Sequence, residues 1–354
     1  MRALALCLTT TALLAGPALA DVFIPEGDAD SVLHLADDGS VVGRIRGLEN
    51  VHGLALAPRS GTLVAGSLSQ AQREPGSADM AGADADGTSG SMARPEGMSQ
   101  AEHERHHMGG GAASGSVSVV SLVDADTHEV TRRVEVPGMV HHVAVDAAER
   151  HAVVTHPGLG SVSIIDLGTG EVTATVATGP EPEYAVADPE TGRFFVSNAG
   201  NATISELDPE AGIVTRNIRL EAGPRHLQLV PGTRTLVAAE ADAGTVSLID
   251  ADAGEVTHRF EIGGELHGVQ SDGETLYVGA RERGRVVAID LATGERTETA
   301  AVEEPYHLAL VPAGVMVSSA GSGAVARLDP ETLEVEHMID AASVAHQIVV
   351  APAS

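Results

Sequence analysis

A motif that returns every 39 to 42 residues, room for four short strands in each repeat, and partial repeats at both chain ends predict the fold class. The chain should be all-β, a seven-bladed β-propeller closed by its N- and C-terminal strands. The motif is an aspartate at the end of an apolar strand, then a turn and a second strand, as in "SIIDLGTGEV" and "SLIDADAGEV". Its aspartates are Asp124, Asp166, Asp208, Asp250, Asp290 and Asp329, spaced 42, 42, 42, 40 and 39 residues apart. Such a period fits strands of about 5–6 residues joined by tight Gly- and Asp-rich turns.

Six repeats are complete. The C-terminal "VAHQIVVAPAS" supplies one innermost strand, and residues 31–47, "SVLHLADDGSVVGRIRG", supply the outer pair of the same blade. Joined, they make the seventh blade and remove the sheet edges that would invite aggregation.

The chain opens on a secretory leader over residues 1–20, with Arg2, an apolar run and the small-residue cleavage site Ala18-Leu19-Ala20. The mature protein, residues 21–354, is then a single propeller domain beginning near Asp21. Cys7, the one cysteine, lies in the leader, so disulfides and thiolate ligands are excluded from the mature chain. The expected location is a bacterial periplasm.

All 21 basic residues are arginine and the formal net charge is −29. That charge opposes binding to nucleic acid. The aromatic content of 2% leaves no stacking platform for bases or sugars.

One blade breaks the period. An insertion of about 45 residues, roughly 70–114, stands where other blades have a turn of three or four residues. Its Gly, Ala, Ser and Asp content cannot bury a core, so the segment is expected to be flexible. It carries "AEHERHHMGGG", with His103, His106 and His107, and the methionines Met80, Met92, Met98 and Met108.

Histidines also mark the start of the innermost strand in most repeats: "VHGLALAP" (His52), "MVHHVAV" (His141, His142), "PRHLQLVP" (His226), "ELHGVQ" (His267), "PYHLALVP" (His307) and "VAHQIVV" (His346). Tyr184 replaces the histidine in "PEYAVADP". Propeller strands A to D alternate in direction, so the start of strand A and the B–C turn share one face. The histidines should therefore ring the channel mouth with the His-bearing insertion above them.

Alignment on the following prolines puts His52, His141 and His346 in one column. His142, Tyr184, His226 and His307 fall one residue later, and His267 cannot be assigned. Adjacent strand residues face opposite ways, so only one column can point inward unless the opening turn is irregular. His156, Glu183, Glu240 and Glu265 are further candidates on that face. His34, His128, His151, His258 and His337 read as solvated.

Neutral imidazoles with nearby carboxylates and no cysteine suit Zn²⁺, with copper as the alternative. The competing reading is that each repeated histidine only hydrogen-bonds the turn between blades.

"VHGLALAP", "GTLVAGS" and "SIIDLGTGEV" resemble the YVTN/YncE-like seven-bladed propellers over residues 31–354. Within that group the exported, Cys-free, histidine-clustered chain is similar to AztD-type zinc chaperones. That resemblance implies delivery of Zn²⁺ to the periplasmic solute-binding protein of a metal ABC transporter, and no enzymatic activity. Two other classes stay open. Glu265-x-His267 with His226 resembles the arrangement in lyase-type propellers, and lactonases also use the fold; the remaining class is an interaction scaffold.

Overall fold

The computed structural model describes residues 21–36, 38–72, 115–320, 322–339 and 345–351. These form seven antiparallel sheets arranged as a propeller. His103, His106 and His107, and most of the 70–114 insertion, lie outside the described residues.

The repeated aspartate builds the C–D turn of each complete blade. Its Oδ1 accepts the backbone N–H groups two or three residues on: Thr127 onto Asp124, Thr169 onto Asp166, Ala211 onto Asp208, Ala253 onto Asp250, Thr293 onto Asp290 and Thr332 onto Asp329. An Asx turn of this kind replaces backbone pairing where the strand reverses. These bonds hold the carboxyls of Asp124, Asp166, Asp250, Asp290 and Asp329 below the ordinary aspartate range. The fourth residue of each turn is left-handed: Gly170, Gly212, Gly254 and Gly294, but also His128 and Leu333. Glycine takes that conformation without steric cost.

The core is not central. Among the described residues, seven apolar clusters each join two neighbouring blades. Phe23, Val32 and Ile45 of blade 7 pack on Leu54 and Leu63 of blade 1, and Phe195 and Ile204 of blade 3 pack on Leu227 and Leu236 of blade 4. Every blade is thus held by both neighbours, and the ring must close for all of them to be covered.

Closure departs from the expected division. The N-terminal segment supplies three strands of blade 7, Val22–Glu26, Ser31–Leu35 and Val41–Arg46, and the C terminus adds Val349–Val350. The missed strand, "VFIPE", contains Pro25, which has no N–H to donate and reads as a strand breaker. It is accommodated because the C-terminal segment pairs with Val22 and Phe23, bridges to Glu26, and asks of Pro25 only its carbonyl, which accepts the His346 N–H at 3.3 Å. The insertion does occupy the B–C connection of blade 1, between Thr62–Ser67 and Ser116–Asp124.

Candidate functional site

Each blade presents the start of strand A at one face of the ring, and the first two residues of that start form two layers. Position 1 is held, from blade 1 to blade 7, by His52, His141, Glu183, Arg225, His267, Tyr306 and His346. Position 2 is held by Gly53, His142, Tyr184, His226, Gly268, His307 and Gln347. His267 falls in position 1 because Gly268 is the counterpart of Gly53: a Cβ on Gly53 would lie 2.8 Å from the His141 carbonyl, and one on Gly268 2.6 Å from that of Tyr306.

Both layers reach the mouth. The exception allowed for an irregular opening applies, because strand A opens with a bulge in four blades. Register shifts occur between Val51 and Gly53, Pro182 and Ala185, Pro224 and His226, and Pro305 and Leu308. A bulge inserts an unpaired residue and re-aims its neighbours, which breaks strict alternation. The resulting cavity of ≈ 220 Å³ is lined by His52, His141, His142, His226, His267 and His307, together with Glu183, Tyr184, Arg225, Asp242, Glu265, Arg281 and Gln347. His346 adjoins it, its ring 4.6 Å from that of His52.

A side chain on strand B holds position 2 in several blades. Thr155 Oγ1 accepts the His142 N–H at 2.9 Å and donates to the Glu183 carbonyl of the next blade at 3.1 Å. Ser318 does the same between His307 and the His346 carbonyl, each bond 3.0 Å. Where position 2 is glycine the strand-B partner is glycine too, Gly66 facing Gly53 and Gly279 bonded to Gly268. In blade 5 the Gly268 N–H itself donates to the Tyr306 carbonyl at 2.8 Å.

Position 2 forms a plug. The His226 and His307 rings meet through Nε2 and Nδ1 at 3.3 Å, and the Tyr184 ring centroid lies 3.4 Å from that of His142 and 4.0 Å from that of His226. Gln347 accepts the Leu54 N–H on Oε1 at 3.0 Å and presents Nε2 to His142 Nε2 at 3.1 Å. Burial pushes the His226 imidazole down to about 3. Burial and the neighbouring histidines hold His142 and His307 well below the ordinary range. Burial likewise raises the Tyr184 phenol. All four side chains are therefore neutral at pH 7.

Position 1 is divided. Over blades 7, 1 and 2 it is an arc of imidazoles, His346, His52 and His141, with His52 4.6 Å from the first and 4.5 Å from the second. His52 Nδ1 donates to the His141 carbonyl at 2.8 Å, and His141 Nδ1 donates to the Glu183 carbonyl at 3.0 Å. Each bond fixes the tautomer whose lone pair lies on Nε2, the form that binds metal. The opposite arc is charged. Arg225 pairs with Glu183 at 3.3 Å and Asp242 at 3.4 Å. Arg281 stands over the Tyr306 ring, 3.7 Å from Glu265 and 3.8 Å from Glu304. Neither arginine was singled out from sequence, although Arg225 directly precedes His226.

Among the described residues no three His, Asp or Glu side chains form a ready-made metal group. Of the other sequence candidates, His156 lies inside its blade, bonded through Nδ1 to the Met139 carbonyl and through Nε2 to Ser163, both at 2.8 Å. Glu240 is likewise internal, paired with Ser247 and Arg259. Two histidines read as solvated are buried instead: His151, bonded to Asp146 at 2.9 Å, and His34.

No curated protein sequence matches this chain. Among solved structures it is similar to hydrazine synthase of Kuenenia stuttgartiensis, with TM-score 0.60 and 19% identity over 79% of this chain and 76% of that one. It is also similar to the dihydro-heme d1 dehydrogenase NirN, with TM-score 0.62 and 14% identity over 94% of this chain and 66% of that one. At such identities the likeness is one of fold. Residues 116–305 and 242–352 match the PQQ_2 family, described as outer membrane protein assembly factor BamB, and together cover well over half the sequence. The chain is a seven-bladed β-propeller and belongs to that family.

Proposed function

We propose that the mouth of this propeller binds a transition-metal ion as cargo, Zn²⁺ first and copper as the alternative. The observation that carries this reading is the fixed tautomer of His52 and His141, each with its Nδ1–H given to the next blade. Two or three imidazoles on a rigid arc leave the coordination shell open. His103, His106 and His107 of the insertion are the natural donors to complete it. A shell shared between a fixed arc and a long insertion suits a cargo that must leave again, whereas a closed four-ligand site suits a structural ion. By resemblance to zinc-chaperone propellers, the recipient is the solute-binding protein of a periplasmic metal ABC importer.

The test is a chelator-competition titration with Zn²⁺ on three proteins: the mature chain, the His52→Ala/His141→Ala variant and a chain lacking residues 70–114. The double variant should bind at least ~10-fold more weakly, because it removes both preorganised ligands. Affinity should also fall as pH drops through about 6.5, where free imidazoles protonate. Equal affinity in the mature chain and the double variant rejects the site.

A further inference from the structure

The ring-closing seam carries a second set of ligand atoms, on the face opposite the mouth. His34, in strand C of blade 7, is buried and stacked on Phe23 with ring centroids 4.4 Å apart. Its Nδ1 meets His128 Nε2 of blade 1 at 2.9 Å, and its Nε2 lies 3.4 Å from Asp21 Oδ1. That Nε2 makes no hydrogen bond among the described residues.

Three features show that the arrangement is built. His128 occupies the left-handed turn position, φ 62°, that four sister blades give to glycine, so it carries backbone strain. Gly43, opposite His34 in the sheet, leaves the room His128 fills, since a Cβ there would come 3.1 Å from His128 Cε1. The Asp21 carbonyl is anchored by the Ala351 N–H at 2.7 Å, while the Asp21 side chain remains half exposed. A charge-assisted N–H···O⁻ bond would close to about 2.7–2.9 Å. The observed 3.4 Å is longer than that and equals the spacing two ligands would have on a tetrahedral ion with bonds of about 2.1 Å.

We propose that the mature N terminus is a second binding site for a divalent transition metal. The α-amino nitrogen and β-carboxylate of Asp21 form a chelate, and His34 Nε2 is the third ligand. His128 is a positioning residue: it accepts the Nδ1–H of His34 and so keeps the lone pair on Nε2. An amine, an imidazole and a carboxylate suit Zn²⁺ or Cu²⁺. The site rests on the reading of residues 1–20 as a leader cleaved after Ala20, which frees the amine; it is independent of the mouth. Binding displaces one proton from the amine.

Mass spectrometry of the exported protein should give Asp21 as the first residue. Zn²⁺ stoichiometry is then compared between that protein, a chain retaining one extra N-terminal residue, and Asp21→Asn, a half-exposed change that leaves the core intact. Both altered chains should lose one equivalent, while His52→Ala/His141→Ala retains it. Cu²⁺ at the site should show hyperfine coupling to two nitrogens, and His128→Gly should weaken binding ~10–100-fold. A different first residue, or equal stoichiometry in the processed and extended chains, overturns the proposal. Unchanged affinity in His128→Gly overturns the role given to His128.

Discussion

The histidines of the described residues divide by environment more sharply than by position in the repeat. His156 shows how a repeat slot can imitate a site. Its counterpart in blade 3 is Asn198, whose amide donates to Ser205 at 2.9 Å just as His156 bonds Ser163 at 2.8 Å. The slot needs a polar side chain facing a strand-C serine, and histidine is one way to fill it. Burial pushes His156 down to about 4, opposed only by its bond to the Met139 carbonyl. The sign follows directly. Between pH 6.5 and about 4 the unfolded chain binds a proton at this residue and the folded chain does not, so stability falls as pH drops through that window. The loss from this residue alone is about 3 kcal/mol, with His226 adding a further decline towards pH 3. Urea unfolding near neutrality and near pH 4 should show it, and His156→Asn should remove this share of the acid sensitivity. A variant as acid-labile as its parent would assign the effect elsewhere.

At the scale of the element, the period, the C–D turn and the face that carries the histidines were legible, because each is written in residue types at fixed offsets. The register of strand A was not. A bulge has no obligatory residue, and a shift of one position changes which side chain meets the channel. The glycine pairs did carry a usable signal: "HG" at the start of strand A goes with glycine on strand B in blades 1 and 5, whereas a bulky position 2 goes with Thr155, Ser197 or Ser318 in blades 2, 3 and 6. Two substitutions probe this pairing. Thr155→Val keeps the shape but orphans the buried His142 N–H and takes one of its two donors from the Glu183 carbonyl, which keeps His141 Nδ1, and should cost about 1–3 kcal/mol. Gly268→Ala drives a methyl to 2.6 Å from the Tyr306 carbonyl oxygen. Because the obstacle is backbone, the cost should be about 2–3 kcal/mol, with a disturbed mouth around His267 and His307. Unfolding midpoints near the parent's for both would mean that the blades slide freely past one another.

For the whole molecule the governing fact is closure. The termini meet in blade 7, where Val22 pairs with Val350 and Phe23 with Val349, and an isolated bridge joins Glu26 to Ala345. The same short segment serves the mouth, because His346 lies beside His52 and Gln347 ties Leu54 to His142. Fold and site are therefore coupled through about seven C-terminal residues, which sequence placed in blade 7 without showing how few hydrogen bonds would hold them. A chain ending at residue 344 should lose more stability than any single substitution above, about 4 kcal/mol or more, since it uncovers the apolar edge of Val22–Glu26 and the cluster around Ile348. It should also associate through that bare edge as concentration rises. A synthetic peptide of residues 345–354 supplied in trans should restore the unfolding midpoint by strand addition, and with it the neutral plug around His142. If the truncated chain unfolds where the parent does, the ring is held by its inter-blade layers alone and the C-terminal strand is an ornament of the mouth.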